Sequence, residues 1–317
     1  MKPIVTLTVN PAIDAACVAD EVVPMRKVRT RDERYGAGGG GLNVARVIRE
    51  LGAEVVAFYL AGGITGQALE QMIEHSGLAA VRVPIADLTR VSHTVYETRT
   101  GHEFRFTPEG PVVTATECHN CLEVLSIIDG DWFVASGSLA RGMPGDFYAS
   151  VARLVKARGG KMVLDSSGVA LHQALAEGVH LVKPSRRELE NLLGRKATTP
   201  AEEESLAREV VDSGRAEIVA LTLGAGGAVL ATRELTLRLA SPQVEAKSAV
   251  GAGDSFVGAM IWALAHGRPV TEAFAYGVAA GAATAMAPGT ELCSRADVER
   301  LTRSECEQLP GEEPASI

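Results

Sequence analysis

A chain of 317 residues, 46% hydrophobic and only 4% aromatic, can hold one large α/β domain or two ordinary ones. Its net charge is −8 (31 basic minus 39 acidic residues), and no basic stripe or tail interrupts the acidic balance. That excludes the usual footprint of a nucleic-acid or anionic-membrane partner, and leaves any anionic small molecule to a few local cations. Met1-Lys2-Pro3 leads straight into an apolar run without a secretory pattern, and the longest apolar stretches are broken by Gly or charge before a membrane span could form. Five cysteines, an odd number scattered from Cys17 to Cys306, fit a reduced cytoplasm better than a disulfide scaffold. Cys118-His119-Asn120-Cys121 has no second pair at zinc-finger spacing and sits in a helical pattern, so no metal centre is expected there.

In chain order, the β-branched run at 4–9 predicts a strand that ends at Asn10-Pro11, with Asp14 in the loop beyond it, where open α/β sheets place ligand groups. An Asx-turn is the plainer role for that residue. Residues 22–34 alternate Lys27, Arg29, Arg31 and Arg34 with Val28, Thr30 and Asp32, which predicts an exposed strand. Gly36-Ala37-Gly38-Gly39-Gly40-Gly41 then leads into a helical pattern, Leu42-Asn43-Val44-Ala45-Arg46 and onward, closed by Gly52. Such a backbone can lie against a ligand unobstructed, and linkers rarely run straight into an apolar helix. A strand at 54–60 and a helix at 66–76 follow. Alternation at 90–98 and 102–107 around Thr100-Gly101 predicts a β-hairpin, and so a small sheet outside the main one, shared with the strand near 28–34. Arg90 and Arg105 flank it, either as solvated surface or as cations for a phosphorylated ligand.

From 117 a βα rhythm returns. A helix to 128 precedes a strand at 132–135 that ends in Ser136-Gly137-Ser138-Leu139. A helix at 145–158 and a strand at 161–164 run to Asp165-Ser166-Ser167-Gly168. A helix at 169–177 and a strand at 179–182 reach Lys183-Pro184, and the next helix carries Glu188. The helix opening at Pro200 has an acidic first turn suited to the helix dipole. A strand at 218–223 ends in Gly224-Ala225-Gly226-Gly227, and 228–231 with 235–239 form a second hairpin. A small-residue helix covers 271–286. The tail at 309–317 is Pro/Glu/Ser-rich and reads as disordered.

Val250-Gly251-Ala252-Gly253-Asp254-Ser255-Phe256 opens an apolar helix that must be buried. The first helical turn carries amides without partners and the positive end of the dipole, so small residues there suit an incoming anion. A carboxylate at Asp254 in that field is expected to stay ionised at neutral pH, ready to accept a proton. A capped strand-to-helix turn is the alternative. Parallel strands with crossover helices predict a doubly wound, mostly parallel sheet with helices on both faces. A small β lid is drawn from about 15–36 and 90–108. Residues 1–308 form a single domain in this reading. No Walker motif is present, and Gly224–Gly227 leads into a hairpin rather than a helix, unlike the dinucleotide fingerprint.

The run from Gly36 to Arg46 and the run from Val250 to Ser255 together resemble the two signatures of the PfkB or ribokinase-like carbohydrate kinases. Thr8-Val9-Asn10-Pro11-Ala12-Ile13-Asp14, Ser136–Leu139, Asp165–Gly168 and Leu181–Pro184 extend the likeness over about residues 4–305. The resemblance implies a ribokinase-like α/β core with a β lid, and phosphorylation of a sugar hydroxyl that uses ATP and Mg²⁺. It is nearest the 6-phosphofructokinase branch, with tagatose-6-phosphate kinases and 1-phosphofructokinases as neighbouring branches. A catalytically dead sugar-phosphate-binding protein is the different-class alternative, against which an intact Asp254 argues. In the family's terms Asp254 is the base, and the Gly251, Ala252 and Gly253 amides form the anion hole. Asp14, Gly38, Gly39, Gly40, Gly41, Asn43 and Ser138 match sugar positions. Lys27, Arg90 and Arg105 match positions for the sugar's existing phosphate. Lys183, Ser185, Thr222, Gly224, Gly227, Ser248, Gly277 and Gly281 fall where ATP sits. Glu188 is the Mg²⁺-associated residue, acting through water, and Ser185 replaces the Asn of the family's Asn-x-x-Glu motif. Ser248, Val250, Thr284, Ala287 and Gly289 match a K⁺ site built of backbone carbonyls. Relatives often carry Pro-Pro where Ala140-Arg141 stand here. A cytoplasmic homodimer joined through the lid is the implied assembly.

Overall fold

The computed structural model describes residues 2–307; the tail at 309–317 lies outside them. Strand β1 (Ile4–Thr8) leads into β2 (Ala12–Ala19) and β3 (Thr30–Gly38), followed by α1 (Gly40–Glu50), β4 (Val55–Gly62), α2 (Gly63–His75) and β5 (Ala80–Ile85). The hairpin β6 (Arg90–Glu97) and β7 (Glu103–Phe106) interrupts the alternation. It resumes with α3 (Ala115–Ile127), β8 (Trp132–Ser136), α4 (Phe147–Ala157), β9 (Lys161–Asp165), α5 (Gly168–Glu177) and β10 (Val179–Val182). Next come α6 (Arg186–Leu193), α7 (Pro200–Asp212), β11 (Ala216–Thr222), β12 (Ala228–Ala231) and β13 (Thr236–Leu239). Helices α8 (Ala252–Ala265), α9 (Val270–Met286) and α10 (Arg295–Cys306) complete the chain.

Nine strands form the main sheet in the order β13-β12-β11-β10-β9-β8-β1-β4-β5, parallel except for the antiparallel β11-β12 and β12-β13 pairings, so that β12 alone runs in reverse. Successive residues of its central strands feed opposite layers, as the pleat requires. Ile4, Trp132 and Val134 join Leu42, Val47, Ile261 and Phe274 on the α1, α8 and α9 side. Val5, Leu7 and Phe133 join Leu125, Phe147, Val155 and Leu206 on the other. The strands are buried on both faces, which is why they read as continuous apolar runs. Because β1, β4, β8, β9, β10 and β11 run parallel, their carboxyl ends share one edge, and Asn10, Ser136, Asp165, Lys183 and Thr222 cluster there.

A second sheet, β3-β2-β6-β7, stands over that edge. Two expectations change here. Asp14 lies inside β2, paired with Gly36 and Ser92 in neighbouring strands, and not in a loop. The exposed strand expected at 22–34 begins only at Thr30 and runs into the glycine stretch, while 20–29 is loop. The alternation of charged and β-branched residues mimicked a strand, but a chain in open solvent alternates without any sheet. The expected hairpin forms, with β2 inserted between it and β3.

Small residues bring α8 close to α9 on one side and to α1 on another. A Cβ on Gly277 would lie 3.1 Å from the Phe256 ring, and one on Gly258 would lie 2.9 Å from Val47. Gly277 is therefore a packing residue of the helix pair, and it is not among the residues that line the cleft beside α8. Gly277→Ala is expected to cost about 1–3 kcal/mol in chemical denaturation by overpacking, while leaving KM for ATP unchanged.

Candidate active site

Helix α8 starts from Gly251, whose left-handed φ of 76° turns the chain and leaves the helix with no side-chain cap. The Gly253 and Asp254 amides of the first turn thus lack a backbone partner, and Ala252 N makes only a long 3.5 Å contact to Ala249 O, so the turn can receive a ligand. Opposite stands the start of α1, where each glycine is enforced by an approach. A Cβ on Gly38 would fall 2.1 Å from the Asp14 carboxylate, and one on Gly41 would fall 2.6 Å from the Leu7 carbonyl oxygen. On Gly40 it would fall 2.2 Å from Ser136 Oγ and 3.1 Å from Asp254 Oδ1. Gly39, at φ 115°, would meet Thr8 Cγ2 at 2.8 Å. The two glycine-rich helix starts therefore face each other across Asp254.

Asp254 is held at both oxygens. Asn43 Nδ2 donates to Oδ2 at 2.9 Å, and Ser136 Oγ donates to Oδ1 at 3.5 Å. The carboxyl keeps a little contact with solvent, yet the protein around it dominates: burial, aided by the charge of Asp165, pushes its pKa up to about 7. Asn43, Lys183 and Ser136 oppose that rise. This corrects the expectation of a fully ionised group, since the helix terminus does not offset the loss of water. A base whose pKa sits near the working pH is well matched to proton transfer.

Beneath the α8 turn, Lys183 Nζ pairs with Asp165 Oδ1 at 3.0 Å, with side chains 7% and 15% exposed. Burial alone would lower the lysine pKa, but Asp165, Glu188 and Asp254 outweigh it and hold the ammonium charged. Its nitrogen lies 3.5 Å from where a Gly253 Cβ would be, directly under the amide cradle. Ser185 and Glu188 form a capping box at the start of α6. Glu188 N donates to Ser185 Oγ at 3.4 Å, and Ser185 N donates to Glu188 Oε2 at 2.8 Å. The residue that departs from the family motif thus has a structural task, and Glu188 keeps its second oxygen for another partner.

On the lid side, burial holds the Asp14 pKa above the ordinary carboxylate value, although Arg90, Arg105 and Arg46 oppose the rise. Arg90 donates from Nη2 to Asn10 O at 2.8 Å and from Nη1 to Pro108 O at 2.9 Å, which fixes its fork over Asp14. Its Nε is buried without a partner. Asn10 Nδ2 donates to Ser138 Oγ at 3.2 Å and to Glu109 O at 2.9 Å, tying the Ser138 loop to the same corner. Arg141 Nε donates to Gly110 O at 2.9 Å, so the departure at Ala140-Arg141 fastens the loop after β7. Lys27 is not brought in; it is exposed in the loop between β2 and β3.

A cleft of 830 Å³ continues from Gly253 past Ser185, Thr222, Gly224, Gly227, Ser248 and Gly281, with Phe256, Val278 and Ala282 as an apolar wall. Tyr96, Gly101, His102 and Glu103, from the tip of the lid hairpin, line the same cleft. Sequence reasoning missed them because nothing local links a hairpin tip to a distant strand end. It also left Arg46, Ser136 and Asp165 without roles, although Arg46 lies within the first glycine signature. At the expected monovalent-cation site, Thr284 Oγ1 is already engaged by Ser255 Oγ at 2.6 Å and Cys293 N at 3.0 Å. Val250 N donates to Ser248 Oγ at 3.2 Å, and Gly289 turns at φ 60°. Only backbone carbonyls of that segment remain for an ion. Cys118 and Cys121 are buried on α3 with thiol pKa values pushed up by burial, which suits packing rather than metal or redox chemistry. Among the described residues no cluster of three or more His, Cys, Asp and Glu side chains forms a metal cage. No helix of the described residues is long and apolar enough to cross a membrane.

Comparison with known proteins agrees with this geometry. Residues 7–297 match the model of the pfkB family carbohydrate kinases. The chain is 42% identical over 303 residues to the ATP-dependent 6-phosphofructokinase isozyme 2 of Mycobacterium tuberculosis, covering 95% of this chain and 89% of that one. It superposes on phosphofructokinase-2 of Escherichia coli in complex with fructose-6-phosphate with a TM-score of 0.90 at 34% identity, over 96% of this chain and 100% of that one. That E. coli protein has also been solved in complex with potassium and in a tetrameric inhibited form. At 31% identity over 292 residues, covering 91% of this chain and 95% of that one, it resembles the 1-phosphofructokinase of Bacillus subtilis. The main sheet with its separate small sheet is the ribokinase-like fold.

The raised pKa of Asp254 has a consequence for stability. In the unfolded chain the group ionises near the ordinary carboxylate value of 3.8, and burial in the folded chain pushes this up to about 7. Folding is therefore opposed at pH 8 by the cost of a buried carboxylate, and this penalty fades as pH falls towards 4. Asp254→Asn is expected to raise the midpoint of thermal unfolding at pH 8, with the gain shrinking in scans taken at progressively lower pH.

Proposed function

The chain belongs to the pfkB family of carbohydrate kinases, and we propose that it transfers the γ-phosphoryl group of ATP to the 1-hydroxyl of fructose 6-phosphate, giving fructose 1,6-bisphosphate. The observation that carries this reading is Asp254, set between two glycine-lined helix starts, with the nucleotide cleft on one side and Asp14, Arg90 and Arg105 on the other. A ketose phosphate bound at the lid side would place its existing phosphate among Arg90 and Arg105. Its diol edge would meet Asp14, Asn43 and the Gly38–Gly41 backbone, with Ser138 beside them. Asp254 would accept the proton of the attacking hydroxyl, and Ser136 and Asn43 would keep the carboxylate oriented. The Ala252 and Gly253 amides, turned by Gly251, would receive the charge of the transferring group, with the Lys183 ammonium adding to the field from below. Phosphoryl transfer asks for little beyond such positioning and charge.

The adenine would lie along Phe256, Val278 and Ala282, with Thr222, Gly224, Gly227, Ser248 and Gly281 around the rest of the nucleotide. Mg²⁺ usually keeps several waters and enters on the phosphates rather than in an all-protein cage, and Glu188, with one oxygen outside its cap, is the residue that would hold it through water. When bound, it would neutralise charge on the phosphates. A K⁺ ion would rest on the carbonyls of Ser248, Val250, Thr284, Ala287 and Gly289. Tagatose-6-phosphate kinase or 1-phosphofructokinase activity is the nearest alternative, because epimers differ by one hydroxyl. The four-glycine run at 38–41, where the 1-phosphofructokinase branch commonly carries a lysine among its glycines, favours a 6-phosphate. Tyr35 and Phe106 stand 64% and 55% exposed on the two edge strands of the lid, and we infer a homodimer that covers these edges. A metabolic kinase of this kind would work in the cytoplasm.

Asp254→Asn is expected to lower kcat by about 10²–10⁴-fold while fructose 6-phosphate still binds in calorimetry; near-normal turnover would refute the base assignment. An ATP-consumption assay across fructose 6-phosphate, tagatose 6-phosphate, fructose 1-phosphate and fructose is expected to give the highest kcat/KM with the first. Ser185→Asn preserves the helix cap, since Asn caps as well as Ser, and is expected to lower the Mg²⁺ concentration needed for half-maximal turnover. An unchanged Mg²⁺ and ATP dependence would remove any metal-related role for position 185.

A further inference from the structure

Asn43 is 8% exposed, and its amide touches the carboxylate on which the proposed chemistry turns. A buried amide needs partners at both ends, and its two ends have nearly the same shape but opposite hydrogen-bonding character. Arg46, one turn further along α1, donates from Nη1 to Asn43 Oδ1 at 3.3 Å. A guanidinium has donors and no acceptor, so it accepts only the oxygen end of the amide as its neighbour. The nitrogen end is then left to face Asp254 Oδ2 at 2.9 Å. Burial lowers the Arg46 pKa, and the charged groups acting on it are Asp14, which favours the charged guanidinium, and Arg49, which opposes it.

We propose that Arg46 is a positioning residue for Asp254: by occupying Asn43 Oδ1 it fixes the amide so that Nδ2, and never the oxygen, faces the carboxylate. The proposal rests on the reading of Asp254 as base. Its physical content is a choice between two amide orientations. With Nδ2 towards it, the carboxylate is stabilised in its charged form. With Oδ1 towards it, two acceptors meet, and the pair is tolerable only if Asp254 carries a proton, which removes it as a base. The other groups that act on Asp254 come from other elements: Asp165 at the end of β9, Lys183 after β10 and Ser136 at the end of β8. None is altered by a change at position 46. Oδ1 of Asp254, with only the longer Ser136 contact of 3.5 Å, is left as the oxygen for the incoming hydroxyl proton. The arrangement also connects the sugar end to the base, because the Asp14 that would bind the acceptor faces the same guanidinium.

The test is the pH profile of kcat at saturating ATP and fructose 6-phosphate. Arg46→Met, which keeps the bulk and removes every donor, is expected to move the acidic limb upward by roughly one pH unit. That lowers kcat at pH 7 about fivefold, approaching tenfold at lower pH, and restores it at high pH. Arg46→Lys, also donor-only, is expected to return the limb towards its wild-type position even where KM for the sugar phosphate stays high. An acidic limb that stays in place in Arg46→Met, with KM alone raised, would overturn the proposal and leave Arg46 as a partner of Asp14. Should Arg46→Met fail to fold by circular dichroism, Arg46→Leu carries the same comparison, since it too offers Asn43 Oδ1 no donor. An unmoved limb there overturns the proposal equally. Activity in Asp254→Asn would instead strike the base assignment itself, so the two failures are distinct.

Discussion

The backbone of residues 38–41 runs so close to its surroundings that no side chain fits on it, and the site depends on that approach. Leu7 and Thr8 at the end of β1 press on it from the sheet, Asp14 from the lid, and Ser136 and Asp254 from the opposite side. The result is that the amino ends of α1 and α8 point at a common space, each contributing amides without internal partners. A single methyl group at Gly38, Gly40 or Gly41 would have to displace backbone or a functional carboxylate, so the geometry leaves little slack for compensation. The alanine- and glycine-rich contact between α8 and α9 continues the same logic one layer out, by letting α8 sit deep enough for its first turn to reach the strand ends.

Charge is arranged around that space with little help from water. One ammonium, Lys183, stands among three carboxylates, Asp165, Glu188 and Asp254. A buried ion pair such as Lys183–Asp165 contributes little net stability, because desolvation offsets most of the attraction, although removing either partner alone would be costly. Its position under the Gly253 amide suggests why it is retained: it supplies fixed positive charge where a phosphoryl group would gain negative charge. Burial, with the charge of Asp165 beside it, raises the Asp254 pKa to about 7 against the pull of Asn43, Lys183 and Ser136.

The lid joins the two ends of the site mechanically. Strands β2 and β6 run parallel in register from Ala12 opposite Arg90 to Ala19 opposite Glu97. At one end they carry Asp14 and Arg90, and at the other the hairpin reaches the cleft beside α8 with Tyr96, Gly101, His102 and Glu103.

The chain's own order of residues was enough to determine the βα rhythm, the hairpin at 90–107, the two glycine-rich helix starts and the acid between them. These are local matters: periodicity, turn residues and small-residue runs act over a few positions, and a paired signature leaves little freedom of interpretation. Where local pattern and solvent exposure imitate each other it failed, as at 22–34, where alternation without a partner strand is only loop, and at Asp14, whose strand is defined by neighbours 22 and 78 residues away. Tertiary structure alone decided that Gly277 serves the Phe256 contact, that Ser185 and Glu188 cap each other, and that Lys27 stays in solvent. It also decided the ionisation of Asp254. A helix amino terminus argues for a charged carboxylate, but desolvation by everything packed around it is larger, and that sum cannot be taken before the chain is folded.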